Sequence, residues 1–382
     1  MYPNGRRQLL SKSVLISGGA GFIGTALSRR LVEAGYDVAV MDVLLAQVHG
    51  DGKALDLHPS VRFFTGDVTH APDWDAVLRL CRPSQVIHLA AETGTAQSLS
   101  QATRHGLVNV VGTTQLLDAL SRADLVPEQI VVASSRAVYG EGAWQAGDEV
   151  FYPRPRSHAQ LQAGVWDPQG PTGEPGVPLP SRAGVTETRP TNVYGATKLA
   201  QENLLTAWTS AHDTGLSILR LQNAYGPGQS LTNPYTGVVP FFARLSRQLR
   251  ASEVYEDGRI VRDLVYIDDV IDALFTSVVN PAVQSRCLDI GSGHGITIHE
   301  LAKKIAAVFG APEPVVVGKF RDGDVRAASC DIEPTLSDLQ WRPKWTLDDG
   351  LRSLLDWIGT QTEAGAEDGA EYLDRVGVER AR

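Results

Sequence analysis

Cysteine is scarce in this 382-residue sequence, and long apolar runs are absent. The three cysteines, Cys81, Cys287 and Cys330, stand far apart and form no CxxC pair. This spacing argues against a disulfide framework and against a cysteine-rich zinc site, so we predict no bound metal. No segment approaches the roughly 18 apolar residues that a membrane span needs. The N-terminal residues are not followed by an apolar signal segment, and we expect a cytoplasmic protein without a membrane partner.

Dense clusters of lysine and arginine are absent as well. The chain has 35 Lys and Arg residues against 44 Asp and Glu residues, which gives a net charge of −9 and a pI near 5.5. Proteins that bind nucleic acid usually carry a basic patch, so we predict no nucleic-acid partner. The negative charge keeps such a chain soluble.

Short apolar runs alternate with helical segments along the chain. Continuous apolar strands separated by helices are typical of a parallel sheet covered on both faces. The fold class is therefore α/β, a doubly wound parallel sheet of the Rossmann type, with a smaller α/β substrate-binding domain. The predicted strands are 14–17, 38–41, 61–65, 86–89, 130–133, 217–221 and 287–290. The predicted helices are 25–34, 73–80, 108–121 and 196–210.

The domain boundaries follow from changes in this pattern. Residues 13–224, with a returning segment at 262–292, form the predicted dinucleotide-binding domain, and residues 225–345 mainly form the substrate-binding domain. The segment 141–192 is rich in proline and glycine and has no periodicity, so we interpret it as a long loop, either functional or disordered. Residues 1–12 are an N-terminal extension, and 346–382 are a C-terminal helix and a peripheral acidic tail.

A glycine-rich turn, GGAGFIG at 18–24, follows the first strand and opens a helix. Glycines at this place let the backbone turn tightly and approach a pyrophosphate, which the helix N-terminus stabilises. The spacing is GxxGxxG rather than GxGxxG, so the prediction also depends on the strand before the glycines and the helix after them. The residues predicted to contact the dinucleotide here are Gly18, Gly21, Phe22, Ile23 and Gly24.

An acid ends the second predicted strand. Asp42 is placed to bind the adenosine ribose hydroxyls, and its charge would repel a 2′-phosphate, which favours NAD over NADP. The ends of the third and fourth strands add further predicted cofactor contacts, namely Asp67, Val68, Leu89, Ala90 and Ala91. His88, in the same HLAA segment, is interpreted as a packed core histidine.

A YxxxK pair, Tyr194 and Lys198, lies on a predicted helix. Positions i and i+4 share a helix face, so the ammonium can lie near the phenol. A free tyrosine, with a pKa of about 10, is a poor base at neutral pH. A nearby cation favours the phenolate and makes Tyr194 a candidate base. Ser135, at the end of an intervening strand, is the candidate hydroxyl that polarises a substrate oxygen.

Six motifs in order carry a family resemblance: GGAGFIG, HLAA, SSRAVYG, YGATK, LRLQNAYGPG and GRIVRDLVYIDDV. Together they resemble the extended short-chain dehydrogenase/reductase superfamily, in its NAD-dependent nucleotide-sugar epimerase/dehydratase branch, over residues 13–350. The resemblance implies that Ser135, Tyr194 and Lys198 are catalytic, with Tyr194 and Lys198 also contacting NAD. It further implies a nucleoside diphosphate sugar as substrate and a homodimer.

The same resemblance suggests the substrate-binding residues. They are Thr93, Gly94, Ser135, Arg136, Asn223, Arg262 and Arg326. Asn223 would lie near the diphosphate, and Arg262 and Arg326 would bind its phosphates, for which arginine is well suited. The role of Arg136 stays open between a substrate contact and an ion pair with Glu141 or Asp148. Strand alternation favours the ion pair, since it points Arg136 away from Ser135.

The residues after Ser135 bear on the reaction. Related dehydratases and decarboxylases carry acids at the positions of Arg136 and Ala137, and related 3,5-epimerases carry a cysteine at the position of Ala137. Their absence favours oxidation at C4 by tightly bound NAD and return of the hydride to the opposite face, which is 4-epimerisation. Ala328 aligns with a position that is large in stricter epimerases, so a small residue there indicates a roomy pocket.

Within this branch the chain resembles the groups that epimerise dTDP-L-rhamnose and UDP-galactose at C4. The likeness to the dTDP-L-rhamnose group is the more specific one, and it rests on HLAAETGTAQSL, SSRAVYGEG and the insertion before TETRPTNVYGATK. The implied substrate is a dTDP- or UDP-hexose or 6-deoxyhexose. Related insertions often hold cysteine pairs, which this chain lacks, in line with the prediction of no metal. The alternatives are a dehydratase, decarboxylase or 4-ketoreductase, and a non-catalytic dinucleotide sensor, although such sensors usually lose the YxxxK pair.

Overall fold

The computed structural model describes residues 12–50, 56–231, 237–361 and 379–380. The predicted N-terminal extension and most of the predicted acidic tail lie outside these residues. In the described part of the chain, no helix has the length and apolar character needed to cross a bilayer.

The elements follow one another in an α/β order. The strands are β1 (Ser13–Ser17), β2 (Asp37–Asp42), β3 (Arg62–Thr65), β4 (Gln85–His88), β5 (Gln129–Ser135), β6 (Trp144–Ala146), β7 (Glu149–Phe151), β8 (Val177–Pro178), β9 (Gly215–Leu221), β10 (Asn223–Tyr225), β11 (Glu253–Val254), β12 (Val261–Tyr266), β13 (Ser285–Ile290), β14 (Gly295–Thr297), β15 (Val315–Val316), β16 (Lys319–Phe320), β17 (Ala327–Ala328) and β18 (Glu379–Arg380). The helices are α1 (Phe22–Glu33), α2 (Ala46–His49), α3 (Ala71–Cys81), α4 (Thr95–Ser100), α5 (Ala102–His105), α6 (Gly112–Arg122), α7 (His158–Gln162), α8 (Val193–His212), α9 (Val238–Arg247), α10 (Ile267–Val279), α11 (Ile298–Phe309), α12 (Glu333–Leu339) and α13 (Leu347–Thr360). A π-helical turn (Gly106–Val111) leads into α6, and a 3₁₀ turn (Arg136–Tyr139) follows β5.

A seven-stranded parallel sheet forms the centre of the molecule. Its strand order is β3-β2-β1-β4-β5-β9-β13. All seven predicted strands lie in it, and the predicted doubly wound fold is confirmed. The order reverses between β1 and β4, which opens a crevice at the carboxyl ends of these strands where ligands bind in such folds.

Helices cover both faces of the sheet, which explains the uninterrupted apolar strands. Every residue of β1 and of β9 is buried. Side chains of α1 and α10, such as Leu27 and Leu274, pack on one face. Side chains of α3, α6 and α8, such as Trp74, Leu116 and Leu205, pack on the other. A parallel sheet buried in this way needs apolar residues in both alternating positions.

The smaller part of the chain is built around β12. This strand forms parallel pairs with β10 and β17 and an antiparallel pair with β14. Helices α9 and α11 pack against each other beside it. Of the segment predicted to return to the dinucleotide-binding domain, β13 joins the central sheet, whereas β12 belongs to this second sheet.

The segment 141–192 contains regular structure, which the sequence did not reveal. β6 pairs with both β7 and β8 in antiparallel, and α7 lies between β7 and β8. Trp144 of β6 is fully buried and donates its indole hydrogen to the carbonyl oxygen of Glu141 at 2.8 Å. Strands of two or three residues are too short to show an alternating pattern, so the sequence did not predict these elements within the long loop.

Asp289, on β13, connects the central sheet to this insertion. Its carboxylate accepts the Tyr139 hydroxyl hydrogen, with oxygen distances of 2.9 and 3.0 Å, and the backbone N–H of Ala183 at 2.7 Å. Burial raises the pKa of Asp289 to about 7. The carboxyl group is therefore protonated in the folded protein at pH values where an unfolded aspartate is ionised.

We predict that Asp289→Asn removes a pH dependence of stability. Between about pH 4 and pH 7 the folded wild type binds a proton that the unfolded chain has lost, so its stability falls as the pH rises through this window. The measured quantity is the difference in the free energy of unfolding, wild type minus Asp289→Asn. This difference should fall by up to ~1.4 kcal/mol per pH unit between about pH 4 and pH 7, and it should level off above pH 7. Denaturant titrations at several pH values measure this difference, and parallel pH curves for the two proteins would contradict the prediction.

Candidate active site

The glycine turn lies at the carboxyl edge of the sheet, beside the reversal of strand order. Gly18 has φ +68°, and a Cβ atom there would lie 2.6 Å from the backbone nitrogen of Ala90. At Gly24 a Cβ atom would lie 2.4 Å from the Cα of Gly19. Any side chain would separate β1, α1 and the end of β4, so glycine is required for the close approach. This cradle of backbone fits a dinucleotide pyrophosphate at the start of α1.

Asp42 lies next to this turn, as its position at the end of β2 predicts. Its two carboxylate oxygens accept the backbone N–H groups of Ala20 at 3.1 Å and Leu44 at 2.9 Å. Asp67, after β3, is oriented by the N–H and hydroxyl of Thr69, each at 2.8 Å. The dinucleotide contacts of these residues, and of Val68, Leu89, Ala90 and Ala91, stay predictions.

Tyr194 and Ser135 are brought together although 58 residues separate them in sequence. Asn192 caps α8 by accepting the N–H of Gly195 at 2.8 Å, which places Tyr194 in the first helical turn. A Cβ atom on Gly195 would lie 2.5 Å from the carbonyl oxygen of Ala137. The start of α8 therefore packs directly on the turn after β5, and the Ser135 side chain lies near enough to Tyr194 to act on the pKa of its phenol.

Burial makes both members of the YxxxK pair harder to ionise. It raises the pKa of Tyr194, against which the hydrogen bond from Ser135 and the charge of Arg136 act in the opposite direction. It also lowers the pKa of Lys198 to about 8. Such shifts in a cleft are typical of catalytic acids and bases.

Arg136 and Arg262 form a pair of cations in the same cleft. Arg136 donates its Nε hydrogen to Oδ1 of Asn223 at 3.0 Å, and Arg262 donates to the carbonyl oxygen of Val261 at 2.7 Å. Burial and the charge of Arg262 lower the pKa of Arg136 to about 9. Among the described residues, neither guanidinium has a carboxylate within ion-pair distance. Two close cations without a carboxylate in direct contact suit a diphosphate.

Of the two roles left open for Arg136, the favoured ion pair with Glu141 or Asp148 is not formed among the described residues. Glu141 instead accepts from Arg156 at 3.1 Å, while Arg136 contacts Asn223. The expectation assumed that β5 continues through Arg136, with side chains alternating between the two faces. The chain leaves the strand at Ser135 and enters the 3₁₀ turn, so alternation does not apply there.

Arg326 occupies a different environment from Arg262. Its guanidinium contacts Asp167, Glu256 and Asp257 at 2.7–2.8 Å, and its side chain is only 3% exposed. Binding of a phosphate by Arg326 stays a prediction, and in this structure carboxylates take up its hydrogen-bond donors.

A second buried arginine, Arg156, extends this ion-pair cluster into the insertion. It donates to Glu141 at 3.1 Å and to Glu256 at 2.8 Å. Another of its nitrogens donates to the carbonyl oxygen of Asp324 at 2.8 Å. The cluster therefore ties the 141–192 insertion to the loops that flank Arg262.

The loop after β4 completes the cleft. Gly94 has φ +100° and precedes α4, and the carbonyl oxygen of Thr93 lies 3.4 Å from Nε2 of His105. The His105 ring packs edge-on against the Tyr194 ring, with 6.4 Å between centroids. His105 therefore lies between Thr93 and Tyr194 and contacts both, although no sequence motif indicated it. Ala328, on β17, is the register partner of Arg262 and leaves that side of the cleft without a large side chain.

Comparisons with known proteins agree with this arrangement. Residues 15–158 match a family described as GDP-mannose 4,6 dehydratase, and residues 170–291 match the NAD dependent epimerase/dehydratase family. A dTDP-L-rhamnose 4-epimerase of Burkholderia thailandensis is 51% identical, over 92% of this chain and 96% of the relative. A UDP-glucose 4-epimerase of Mycolicibacterium smegmatis is 28% identical, over 91% of this chain and 99% of the relative.

Solved structures resemble it over most of their length. The UDP-glucose 4-epimerase of Thermotoga maritima with UDP-glucose has a TM-score of 0.72 and 27% identity, covering 91% of this chain and 98% of the other. The enzyme of the same name from Thermus thermophilus, in complex with NAD, has a TM-score of 0.70 and 27% identity, covering 91% and 100%.

The fold and the site define an NAD-dependent enzyme of the extended short-chain dehydrogenase/reductase type. The chain belongs to the NAD-dependent epimerase/dehydratase family. The expected activity, a nucleotide-sugar 4-epimerase with NAD as cofactor and hence an isomerase, is confirmed.

We predict that Arg156→Met strongly destabilises the protein. The substitution leaves Glu141 and Glu256 buried without one of their cations, which typically costs about 3–5 kcal/mol. Chemical denaturation of wild type and variant measures the loss. Arg122→Met serves as the control, because it breaks an exposed pair with Asp75 that should contribute at most about 1 kcal/mol. Equal effects of the two substitutions would contradict the assigned role of the buried cluster.

Proposed function

We propose that this enzyme interconverts a dTDP-6-deoxyhexose and its C4 epimer, a substrate of the dTDP-L-rhamnose type. The 51% identity to a dTDP-L-rhamnose 4-epimerase supports the substrate class. The observation that carries the proposal is the packing of α8 on the turn after β5, which brings Tyr194 to Ser135 at the edge of the sheet that also holds the glycine turn. The two residues after Ser135, Arg136 and Ala137, offer no carboxyl group for elimination or decarboxylation.

The residues of the site divide the chemistry between them. Ser135 holds the C4 oxygen by a hydrogen bond, and Tyr194, as phenolate, takes the C4 hydroxyl proton and later returns it. Lys198 favours the phenolate through its positive charge. The glycine turn would hold NAD, which when bound would supply the acceptor for the C4 hydride and the source of its return. Oxidation and reduction therefore balance within one catalytic cycle.

Epimerisation also requires the keto sugar to present its opposite face. Arg136, Arg262 and Asn223 are placed to hold the diphosphate while the sugar turns about it. Their lack of carboxylate partners in the described structure leaves the two guanidinium groups available for phosphate oxygens. Thr93 and Gly94 would line the sugar pocket, and the small Ala328 beside Arg262 would leave space for the rotation.

We further propose a cytoplasmic homodimer, on the basis of the superfamily resemblance and the absence of cysteine pairs. Leu99 and Leu107, about half exposed near the π-helical turn before α6, are available for a subunit contact. Light scattering of the purified chain, with Leu107→Asp as the test variant, decides the oligomeric state. A wild-type monomer at micromolar concentration would contradict the dimer.

The reaction is tested by incubating the enzyme with dTDP- and UDP-sugars in D₂O and analysing the products by NMR. We expect inversion at C4 of a dTDP-6-deoxyhexose without solvent deuterium in the sugar. Deuterium at C3 or C5 would indicate epimerisation by proton transfer and would overturn the hydride mechanism. Release of NADH or of a stable 4-keto product would instead indicate one of the alternative reactions.

We predict that Tyr194→Phe lowers kcat by about 10²–10⁴-fold, the usual contribution of a positioned general base, without loss of bound NAD. Cofactor content is measured by absorbance after denaturation, and kcat by product NMR. Tyr36→Phe, which alters a tyrosine between α1 and β2, is the control and should be fully active. Full turnover by Tyr194→Phe would show that the assigned base is wrong.

We predict that Arg136→Met and Arg262→Met each raise KM for the nucleotide sugar about 10–100-fold, since a hydrogen bond to a charged group contributes about 1.5–3 kcal/mol. Arg259→Met, three residues before Arg262 and exposed, should leave KM unchanged. Steady-state kinetics measures both. An unchanged KM in the first two variants would contradict their assignment to the diphosphate.

A further inference from the structure

We propose that Gln201 is a positioning residue that holds the Lys198 ammonium with a neutral acceptor and so leaves its positive charge available to Tyr194. The proposal rests on the function proposed above, in which Lys198 assists Tyr194. Sequence motifs did not indicate Gln201, although it follows Lys198 by three residues on the same helix.

The contact between the two side chains is completely enclosed. Gln201 has no solvent-exposed surface, and Lys198 is 2% exposed. The Lys198 Nζ donates to Oε1 of Gln201. Within the described residues, Lys198 has no carboxylate at ion-pair distance. A buried ammonium usually has an anionic partner, so a neutral amide in this place is a distinctive feature.

The orientation of the Gln201 amide is set by Thr113. The Thr113 hydroxyl has one hydrogen, which it donates to the carbonyl oxygen of Asn109 at 2.7 Å. Its oxygen therefore accepts from Nε2 of Gln201 at 2.8 Å and from Nε2 of His88 at 3.0 Å. With the amide nitrogen directed at Thr113, the amide oxygen faces Lys198.

The hydrogen-bonded chain continues through His88 to the central sheet. Because His88 donates through Nε2, its Nδ1 accepts the hydroxyl hydrogen of Ser17, at 2.6 Å. Burial and the charge of Lys198 lower the pKa of His88 to about 3, so the imidazole is neutral at working pH. Ser17 ends β1 and His88 ends β4. The amide that holds Lys198 is thus anchored, through neutral groups alone, to two central strands.

The other titratable groups around Lys198 do not neutralise it by direct contact. Glu202, the next residue along α8, is held by Arg220 of β9 at 2.7 and 3.0 Å and by the hydroxyl of Ser134. Tyr194 lies one turn earlier on the helix, and His88 is the titratable group on β4. The Glu202 charge still favours the ammonium form of Lys198, but the hydrogen bonds of its carboxylate go to Arg220 and Ser134, and the direct acceptor of Lys198 is the neutral amide.

Two substitutions at Gln201 should have opposite effects on Lys198. Gln201→Glu puts a carboxylate against the ammonium, which should raise the pKa of Lys198 and weaken its effect on Tyr194. Gln201→Met removes the acceptor, which should lower the pKa of Lys198. The loss of one hydrogen bond to a charged group corresponds to about one pH unit.

The test is the pH dependence of epimerisation together with a spectroscopic titration. We expect the alkaline limb of the kcat profile to move up by about one pH unit in Gln201→Glu and down by about one unit in Gln201→Met. We also expect the phenolate absorbance of Tyr194, measured as the difference from a matching Tyr194→Phe protein, to appear at higher pH in Gln201→Glu. Shifts in the same direction, or lower kcat with unmoved limbs, would overturn the proposal.

Gln129→Met is the matched control. Gln129 is also fully buried and donates to the Ser217 hydroxyl at 2.7 Å, but it lies at the start of β5, away from Ser135. The Gln129→Met variant should leave the acid and alkaline limbs of the kcat profile unmoved. A shift equal to that of Gln201→Met would contradict a specific role of Gln201. Should Gln201→Met fail to fold, Thr113→Val, which removes the anchor of the amide, should move the alkaline limb in the same downward direction.

The phenolate titration separates this proposal from the proposed function. If Tyr194→Phe keeps full turnover while Gln201→Glu still shifts the titration, Tyr194 is not the base but Gln201 does control the charge at Lys198. If Tyr194→Phe is inactive and neither Gln201 variant shifts the titration or the limbs, the base is correct and the role of Gln201 is refuted.

Discussion

The close packing of α8 on the turn after β5 is the contact on which the active site depends. Gly195 allows this contact, because any side chain there would collide with the carbonyl oxygen of Ala137. The approach brings Tyr194 to Ser135 and buries Lys198 behind them. The segment 141–192 connects Ser135 to Tyr194, so it leaves this contact and returns to it. Its strands form a separate small sheet.

Electrostatics divides the buried cations of the molecule into two groups. Arg156 and Arg326 are saturated with carboxylates and hold the insertion against the substrate side of the cleft. Arg136, Arg262 and Lys198 have no carboxylate at ion-pair distance in the described part of the structure, and their direct hydrogen-bond acceptors are neutral amide or carbonyl oxygens. Burying a cation without an anion is costly, and that cost is offset where a diphosphate or a phenolate supplies the negative charge.

Much of the fold could be predicted from local patterns. The strands of the central sheet are continuous apolar runs, because a parallel sheet covered by helices buries both of its faces. The glycine turn and Asp42 were identified because a tight turn between strand and helix leaves a short, recognisable signature. The short strands within the insertion were missed, since two or three residues carry no period. The partner of Arg136 was missed because the chain turns immediately after Ser135.

Local sequence patterns were sufficient to predict the strands and helices of the central sheet, the glycine turn and the candidate catalytic side chains, since each depends on residues close together in the chain. Tertiary structure alone decided which arginines are free for a phosphate and which are neutralised. It also decided that Gln201, through Thr113 and His88, faces Lys198. These properties depend on contacts between buried side chains from distant segments of the chain, and no local sequence pattern predicts such contacts.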